Sequence, residues 1–375
     1  MNYTDREFWN TQAEYAKKMR PLLPPEAFLP NYNSVWLLLI NGAILILGWA
    51  IAHDLDRWNW QWLWLYLPFS LVMGNSIIVL LFSTHDLLHS KAIKHPFVRQ
   101  AISLIGLTML WTPPTFWKAV HNREHHSKTN SSQDPDRNYL YEHPNNWGKW
   151  IQNLFVPSAE VNLLWLAVGM GHAWGIHMFR NLSSVLLFNN GLTNYPPAAF
   201  RVSSKERKAI ALEFLVILGI HLGIVSYLGF HPVKLVLSYF LPLWIGYAGI
   251  MFYVYTNHML CRMTEVNDPL MNSISIRVPK LFDLLHLNFS YHTEHHIFPG
   301  VNSNYYPQVQ ALLQAHYGDR FNLLDASEAW RLMLKTPRHY KTETTFTDLK
   351  GKTVVACPLS GSHDIEPTSC TTTIC

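Results

Sequence analysis

Four apolar stretches limit what this chain can fold into. They are SVWLLLINGAILILGWAIA (34–52), WLWLYLPFSLVMGNSIIVLLFS (62–83), AIALEFLVILGIHLGIVSYLG (209–229) and VKLVLSYFLPLWIGYAGIMFYVY (233–255). About 20 apolar residues cross the hydrocarbon core of a bilayer as a helix, so each qualifies as a span. The linkers 53–61 and 230–232 are too short to hold a domain, so the spans read as two hairpins. A fifth stretch, RQAISLIGLTMLW (99–111), is too short to cross and ends at TPPTFW; it reads as a re-entrant or interfacial piece that dips and returns. Region 151–190 mixes LLWLAVGMG with His172, His177 and Arg180 and reads as an amphipathic, surface-lying helix pair.

Composition agrees with a membrane domain. The 375 residues are 49% hydrophobic and 14% charged, with 15 Trp, 17 Tyr and 19 Phe. A soluble domain carries about 25% charged residues. The net charge of +4 gives no nucleic-acid signal. Four cysteines without C-x-x-C spacing exclude a zinc ribbon and fit a reducing, cytosol-facing environment. Residues 1–33 read as a polar and aromatic N-terminal segment, 34–341 as the membrane domain, and the Thr- and Ser-rich 342–375 as a disordered tail.

Eight of the 20 histidines fall in three short clusters: HDLLH (85–89), HNREHH (121–126) and HTEHH (292–296). The first follows the second span, the second follows the re-entrant piece, and the third follows the fourth span. An even number of crossings precedes each, so all three lie on one side. That side also carries Lys17, Lys18, Arg20, Lys91, Lys94, Arg99, Lys118, Arg123, Lys128 and Arg137, whereas the opposite linkers carry Arg57 and, at the border, Lys234. The positive-inside rule makes the histidine side, with both termini, cytoplasmic.

Residues at i and i+3 or i+4 share a helix face. His85 and His89, His121 and His125 with His126 next in line, and His292, His295 and His296 each aim at least two imidazoles at one point. A lone histidine at a membrane edge is ordinarily structural, but three dense clusters on one face are not. Eight converging imidazoles exceed the four positions of a zinc site and suit a pair of metals with open positions for a small ligand such as dioxygen. Imidazole alone does not choose among zinc, copper, iron and nickel. A metal transporter would hold its ligands near the midplane, whereas these sit just past the helix ends. Asp86, Glu124, Asp134, Asp136 and Glu294 sit in or beside the clusters and are expected to accept the second ring N–H of the ligands.

H-x-x-x-H, H-x-x-x-H-H and H-x-x-H-H, in this order and after these spans, resemble the membrane fatty acid desaturase family. HTEHHIFPGVNSNYYPQV is similar to its third box and the segment after it, and the DPD at 134–136 recurs in acyl-lipid desaturases and related carotenoid oxygenases. The resemblance covers about residues 60–315. It implies an all-α integral membrane fold in which four spans and re-entrant or interfacial helices carry a cytoplasmic helical cap. It also implies two non-haem iron ions, dioxygen as co-substrate, and desaturation of a fatty acyl substrate. The eight box histidines become ligands. Members commonly add a histidine from the end of the fourth span, which here is His258 in YTNHML, with Asn257 as a water-mediated partner. Trp111, Phe116 and Trp117, just before box two, are candidate walls of the substrate tunnel. No nicotinamide fingerprint and no fused haem domain are present, so a separate ferredoxin or b-type cytochrome is the expected electron donor. The boxes fix the metal chemistry but not the outcome. Hydroxylation, carotenoid ketolation and oxidative decarboxylation of a fatty acid to a terminal alkene remain open on the same scaffold.

Overall fold

The computed structural model describes residues 9–136, 154–188 and 200–359. Helix α1 (Gln12–Met19) precedes the first apolar helix, α2 (Asn33–Ala52). A 3-10 lead-in, Trp60–Tyr66, runs into α3 (Leu67–His89). Then follow α4 (Pro96–Thr108) and α5, which is α-helical over Pro114–Trp117, π-helical over Lys118–His125 and α-helical again over His126–Lys128. Helix α6 (Leu163–Ser183) and α7 (Ser204–Tyr227) precede α8 (Pro232–His258), which contains a π segment at Val236–Phe240. Among the described residues four helices are long and apolar enough to cross a membrane: Asn33–Arg57, Trp60–His89, Ser204–Tyr227 and Pro232–His258. These are the four stretches expected from the sequence.

Helix α3 is the central element and α7 the most peripheral. Small residues let α3 and α8 approach closely, as they do in membrane interiors. A Cβ at Gly246 would lie 2.8 Å from Ile77 and 3.2 Å from the Gly74 carbonyl. Both linkers of the two hairpins meet at one end of the bundle. There Lys234 pairs with Asp56 at 2.8 Å, and the His53 ring stacks on Tyr227. The histidine boxes lie at the other end.

Stretch 99–111 folds as a short helix and a reversal. Helix α4 packs Gly106 against Thr84 of α3, and the chain reverses through Trp111, whose φ is 54°. The reversal places three successive carbonyls in an apolar interior, where an unpaired polar group is costly, and only that of Thr108 keeps a backbone donor, the Trp111 N–H at 2.9 Å. Each finds a side-chain donor. The His221 Nε2 meets the Thr108 carbonyl at 2.9 Å, the Tyr247 hydroxyl donates to Met109 at 2.9 Å, and the Trp174 indole donates to Leu110 at 3.1 Å. The Tyr239 hydroxyl donates to His221 Nδ1 at 2.7 Å, which fixes the donor tautomer at Nε2.

One expectation is corrected, and α6 makes a contact that its own sequence does not indicate. It packs against the middle of α8, because Gly171 leaves room for the Trp244 ring and the Trp244 indole donates to the Val168 carbonyl at 3.1 Å. The segment from residue 342 to 359 is not a disordered tail. Strands β3 (His339–Thr342), β4 (Thr345–Thr347) and β5 (Val354–Ala356), described below, form an antiparallel sheet that buries Phe346 and Cys357. Buried Arg338 anchors it by donating to the carbonyls of Pro157, Met259 and Met333. Residues 360–375 lie outside the described residues.

The cap over the bundle is built from α9 (Pro269–Asn272), β1 (Ser275–Arg277), α10 (Lys280–Leu285), α11 (His292–Ile297), α12 (Tyr306–Tyr317), β2 (Leu323–Asp325) and α13 (Ala326–Lys335), followed by β3–β5. Strands β1 and β2 pair in parallel. Helix α1 joins the cap. Tyr15, Met19 and Ala27 share an apolar cluster with Ile297, Val309 and Leu313, so the N-terminal segment sits on the histidine side.

Candidate metal centre

Four helix ends deliver the histidines. Box one occupies the last turn of α3, box two the π segment of α5 and the residue after it, box three α11, and His258 the end of α8. They sort into two groups. His85, His89, His121, His126 and His295 form one; His125, His258, His292 and His296 form the other. Within each group the candidate ligand nitrogens lie within 4.8 Å of one another. All nine sequence candidates are therefore brought together.

The division inside box two differs from the i, i+4 expectation. In these two groups His121 goes with His126, five residues on, and His125 with His258, while His121, His125 and Asp136 also form a third, smaller group. The cause is the π-helix. Its i→i+5 hydrogen bonding stacks residues five apart much as an α-helix stacks those four apart. Box three is α-helical and keeps its i, i+4 pair, His292 and His296, in the second group, while His295 goes to the first.

The nitrogen contacts fit a cation. His121 Nε2 lies 2.9 Å from His85 Nε2 and 3.3 Å from His126 Nε2. His292 Nε2 lies 2.8 Å from His258 Nε2 and 3.0 Å from His296 Nε2. A neutral imidazole carries one ring N–H, so three nitrogens meeting at one point cannot all be satisfied by protons. Tautomers sharpen this. His258 Nδ1 donates to the Asn272 carbonyl at 2.8 Å, and His125 Nδ1 donates to the Asp134 carboxylate at 3.0 Å. Both therefore present a bare Nε2. The buried His89 Nε2 has no hydrogen-bond partner. Burial first, and the neighbouring histidines second, hold His121, His126, His292, His295 and His296 well below the usual imidazole range. They stay neutral, the form that binds metal. An all-imidazole donor set of this size fits two metal ions.

The surrounding carboxylates play unequal parts. Asp134, fully buried, matches its expected role on His125. Asp136 lies 3.6 Å from His125 Nδ1 and 3.1 Å from His177 Nε2, so His177 joins the periphery of the site. The other three differ from expectation. Glu124 pairs with Lys128 and Arg123 on the outer face of α5, because that face points away from the imidazoles. Asp86 accepts from Ser34 of α2. Glu294 accepts from Ser275 and, at 2.8 Å, from Gln310; burial pushes its carboxyl up to about 7. It fastens α11 to β1 and α12 and does not orient a ligand ring. The buried Asn257 amide oxygen has no hydrogen-bond partner, and its backbone carbonyl holds the Ile274 N–H.

Of the three tunnel candidates, Trp117 lies at the site, its ring stacked on His121 with centroids 4.7 Å apart. Phe116 is buried against Phe200, and Trp111 stacks on His221 at the turn after α4. A small cavity does touch the metal centre, but it is lined by Phe82, His85, Phe289, His292, His295 and Tyr306 among others. Of these, Phe82, Phe289 and Tyr306 had not been singled out from the sequence. The same holds for Asn272 and for Thr129, whose hydroxyl is 3.4 Å from His296 Nδ1. Tyr306 meets His295 Nδ1 at 3.0 Å. No spacing rule points to these residues, since the contacts are made across elements.

The remaining histidines lie elsewhere. His286 bonds Tyr253 and Asn75, His172 bonds its own helix at Val168, and His53 and His231 lie at the far end. His143 falls outside the described residues. A family model described as fatty acid desaturase matches residues 61–323. No curated protein matches the chain.

Proposed function

The chain belongs to the fatty acid desaturase family, and from this membership and the paired histidine groups we propose that it desaturates a fatty acyl chain at a non-haem di-iron centre. It is a membrane protein and an oxidoreductase by family. The observation that carries the finer reading is the division of nine buried or half-buried imidazoles into adjacent groups of five and four. Two iron ions held there would supply dioxygen activation and the power to remove hydrogen from an unactivated methylene. The balance is one –CH2–CH2– unit, one dioxygen, two electrons and two protons giving one alkene and two waters.

The protein's own share is position, dryness and electronics. His85, His89, His121, His126 and His295 would hold one ion, and His125, His258, His292 and His296 the other. Asp134 and the Asn272 carbonyl hold His125 and His258 in the tautomer that presents Nε2 inward. Burial keeps bulk water away from the imidazoles. The two electrons come from a separate ferredoxin or b-type cytochrome, approaching the histidine side. We place that side, with both termini, in the cytoplasm, on the excess of Lys and Arg there.

The test is gas chromatography–mass spectrometry of total fatty acids from a host expressing wild type or His125→Ala with a compatible electron donor. We expect a new unsaturated chain from wild type that is absent from the variant. Undiminished product from the variant refutes the di-iron reading. A hydrocarbon one carbon short moves the assignment to decarboxylation.

A further inference from the structure

We infer that the acyl chain reaches the metal centre sideways from the bilayer, past α10 and Phe289. This inference rests on the reading of the substrate as an acyl chain, and it makes that substrate membrane-resident and not delivered by a soluble carrier.

The argument starts from depth. The chain leaves the cap at β1 and descends along α10 to His286, whose Nε2 meets Asn75 of α3 at 3.1 Å. Asn75 lies ten residues before His85, about 15 Å along the helix. His286 Nδ1 meets the Tyr253 hydroxyl of α8 at 2.8 Å. Segment 280–289 is thus held between the two innermost apolar helices, below the level of the histidines. Its outer face is apolar and open: Leu281, Phe282, Leu284 and Leu285 are exposed, Leu284 by 76%. That face continues the exposed apolar surface of α3 at Leu71 and Val72, so hydrocarbon is the medium that covers it. Lys280, at the top of α10, is exposed and long enough to reach the interface.

The chain then turns back up through two residues with left-handed backbone, Leu287 (φ 54°) and Asn288 (φ 57°). The turn is pinned by the Asn288 side chain, which donates to the Ser303 carbonyl at 3.0 Å, and by Ser290, which bonds Asp283. It delivers the Phe289 ring flat onto Phe82, with centroids 3.8 Å apart. Phe289 also lies 5.4 Å from the His85 ring and 5.9 Å from His292. The cavity beside this pair holds roughly 20 Å³ of free space, room for about one water molecule. A methylene chain passes only when the Phe289 ring leaves Phe82. The ring pair is then the side door of the site, and its position along α3 helps set how far a chain runs past the metals.

The experiment uses the full chain in phosphatidylcholine liposomes doped with a phospholipid carrying a mid-chain diazirine. After irradiation, labelled residues are mapped by mass spectrometry. Lipid-facing Leu39 and Leu212 label in any case. Phe82 is buried, so label there reports a chain that has passed the ring pair. We expect label on Phe82, removed by excess unlabelled fatty acid, raised about threefold in Phe289→Ala and lowered several-fold in Leu284→Lys. Leu284 is exposed, so that variant keeps the test alive should Phe289→Ala fail to fold. Label confined to Leu39 and Leu212, with none on Phe82, overturns the inference. Labelled Phe82 in a protein that makes no unsaturated product overturns the desaturase proposal and leaves lateral access standing.

Discussion

Asp134→Asn gives the sharpest test of how the centre is held. The Asp134 carboxylate is fully buried and faces three donors. His125 Nδ1 lies 3.0 and 3.1 Å from its two oxygens, the Asn130 N–H donates to Oδ2 at 2.8 Å, and the Asp136 N–H donates to Oδ1 at 2.9 Å. Both oxygens are therefore already claimed by backbone donors. An asparagine keeps the shape but must turn its NH2 toward one of those N–H groups in either orientation. One buried backbone donor then loses its acceptor, at a cost of about 1–3 kcal/mol. His125 loses its carboxylate as well, and its proton is free to move to Nε2, which removes a lone pair from the second group. Loss of such an orienting partner lowers metal affinity or activity by about 10–100-fold, equivalent to about 1.4–2.7 kcal/mol. The assay is metal content by mass spectrometry together with turnover, on protein whose thermal midpoint is measured in the same detergent. A variant with wild-type metal content and turnover refutes the role given to Asp134, and equal loss of folding and metal would reduce it to a structural one.

Three further outcomes follow from the same geometry. Glu124→Gln, on the outer face of α5, should change stability by no more than about 0.5 kcal/mol and leave metal content intact, as read by thermal melting and metal analysis. Tyr306→Phe removes the hydroxyl beside His295 Nδ1 and should lower iron retention under chelator challenge by up to about tenfold, less than Asp134→Asn because a neutral partner is lost. Metal-free protein should lose stability as pH falls below about 6.5. His121, His126, His292, His295 and His296 have depressed pKa values, so the unfolded chain binds more protons there, while above that range the dependence flattens. Thermal midpoints at pH 8 and 5.5 check the sign; a metal-free midpoint that rises on acidification refutes burial of the neutral rings.

The spans were legible because a bilayer demands length and apolarity, and both are written in one dimension. The turn after α4 was legible from a short apolar run ending at two prolines. What holds it was not, since His221, Tyr247 and Trp174 come from three separate helices to serve three adjacent carbonyls. The packing of helix α6 was hidden for a related reason. Its polar residues suggested a surface, yet Gly171 and Trp244 are complementary only once α8 is beside it. The sheet after residue 338 was hidden by its composition. Its few apolar residues suffice because Arg338 fastens the segment to the body by three carbonyls and Phe346 fills the space beneath.

At the candidate metal centre it was readable which histidines come together, and how they divide was not. Density of histidines on one predicted side picks out residues without needing their exact directions. Sorting them into two groups needs the helical register, and box two is wound as a π-helix that no i, i+4 rule anticipates. The register matters because the two sets interleave along the chain: His121 and His126 flank His125, and His292 and His296 flank His295. Each box thereby contributes to the first group, and boxes two and three to both. A shift of box two or box three consequently disturbs both groups at once. The orienting carboxylates follow the same logic. Proximity in sequence suggested Glu124 and Glu294, but each lies on the face of its helix that points away from the imidazoles. Asp134, nine residues after His125 on a turn that folds back, accepts directly from a ring nitrogen of a box histidine. Direction, and not nearness along the chain, decides which carboxylate tunes the site.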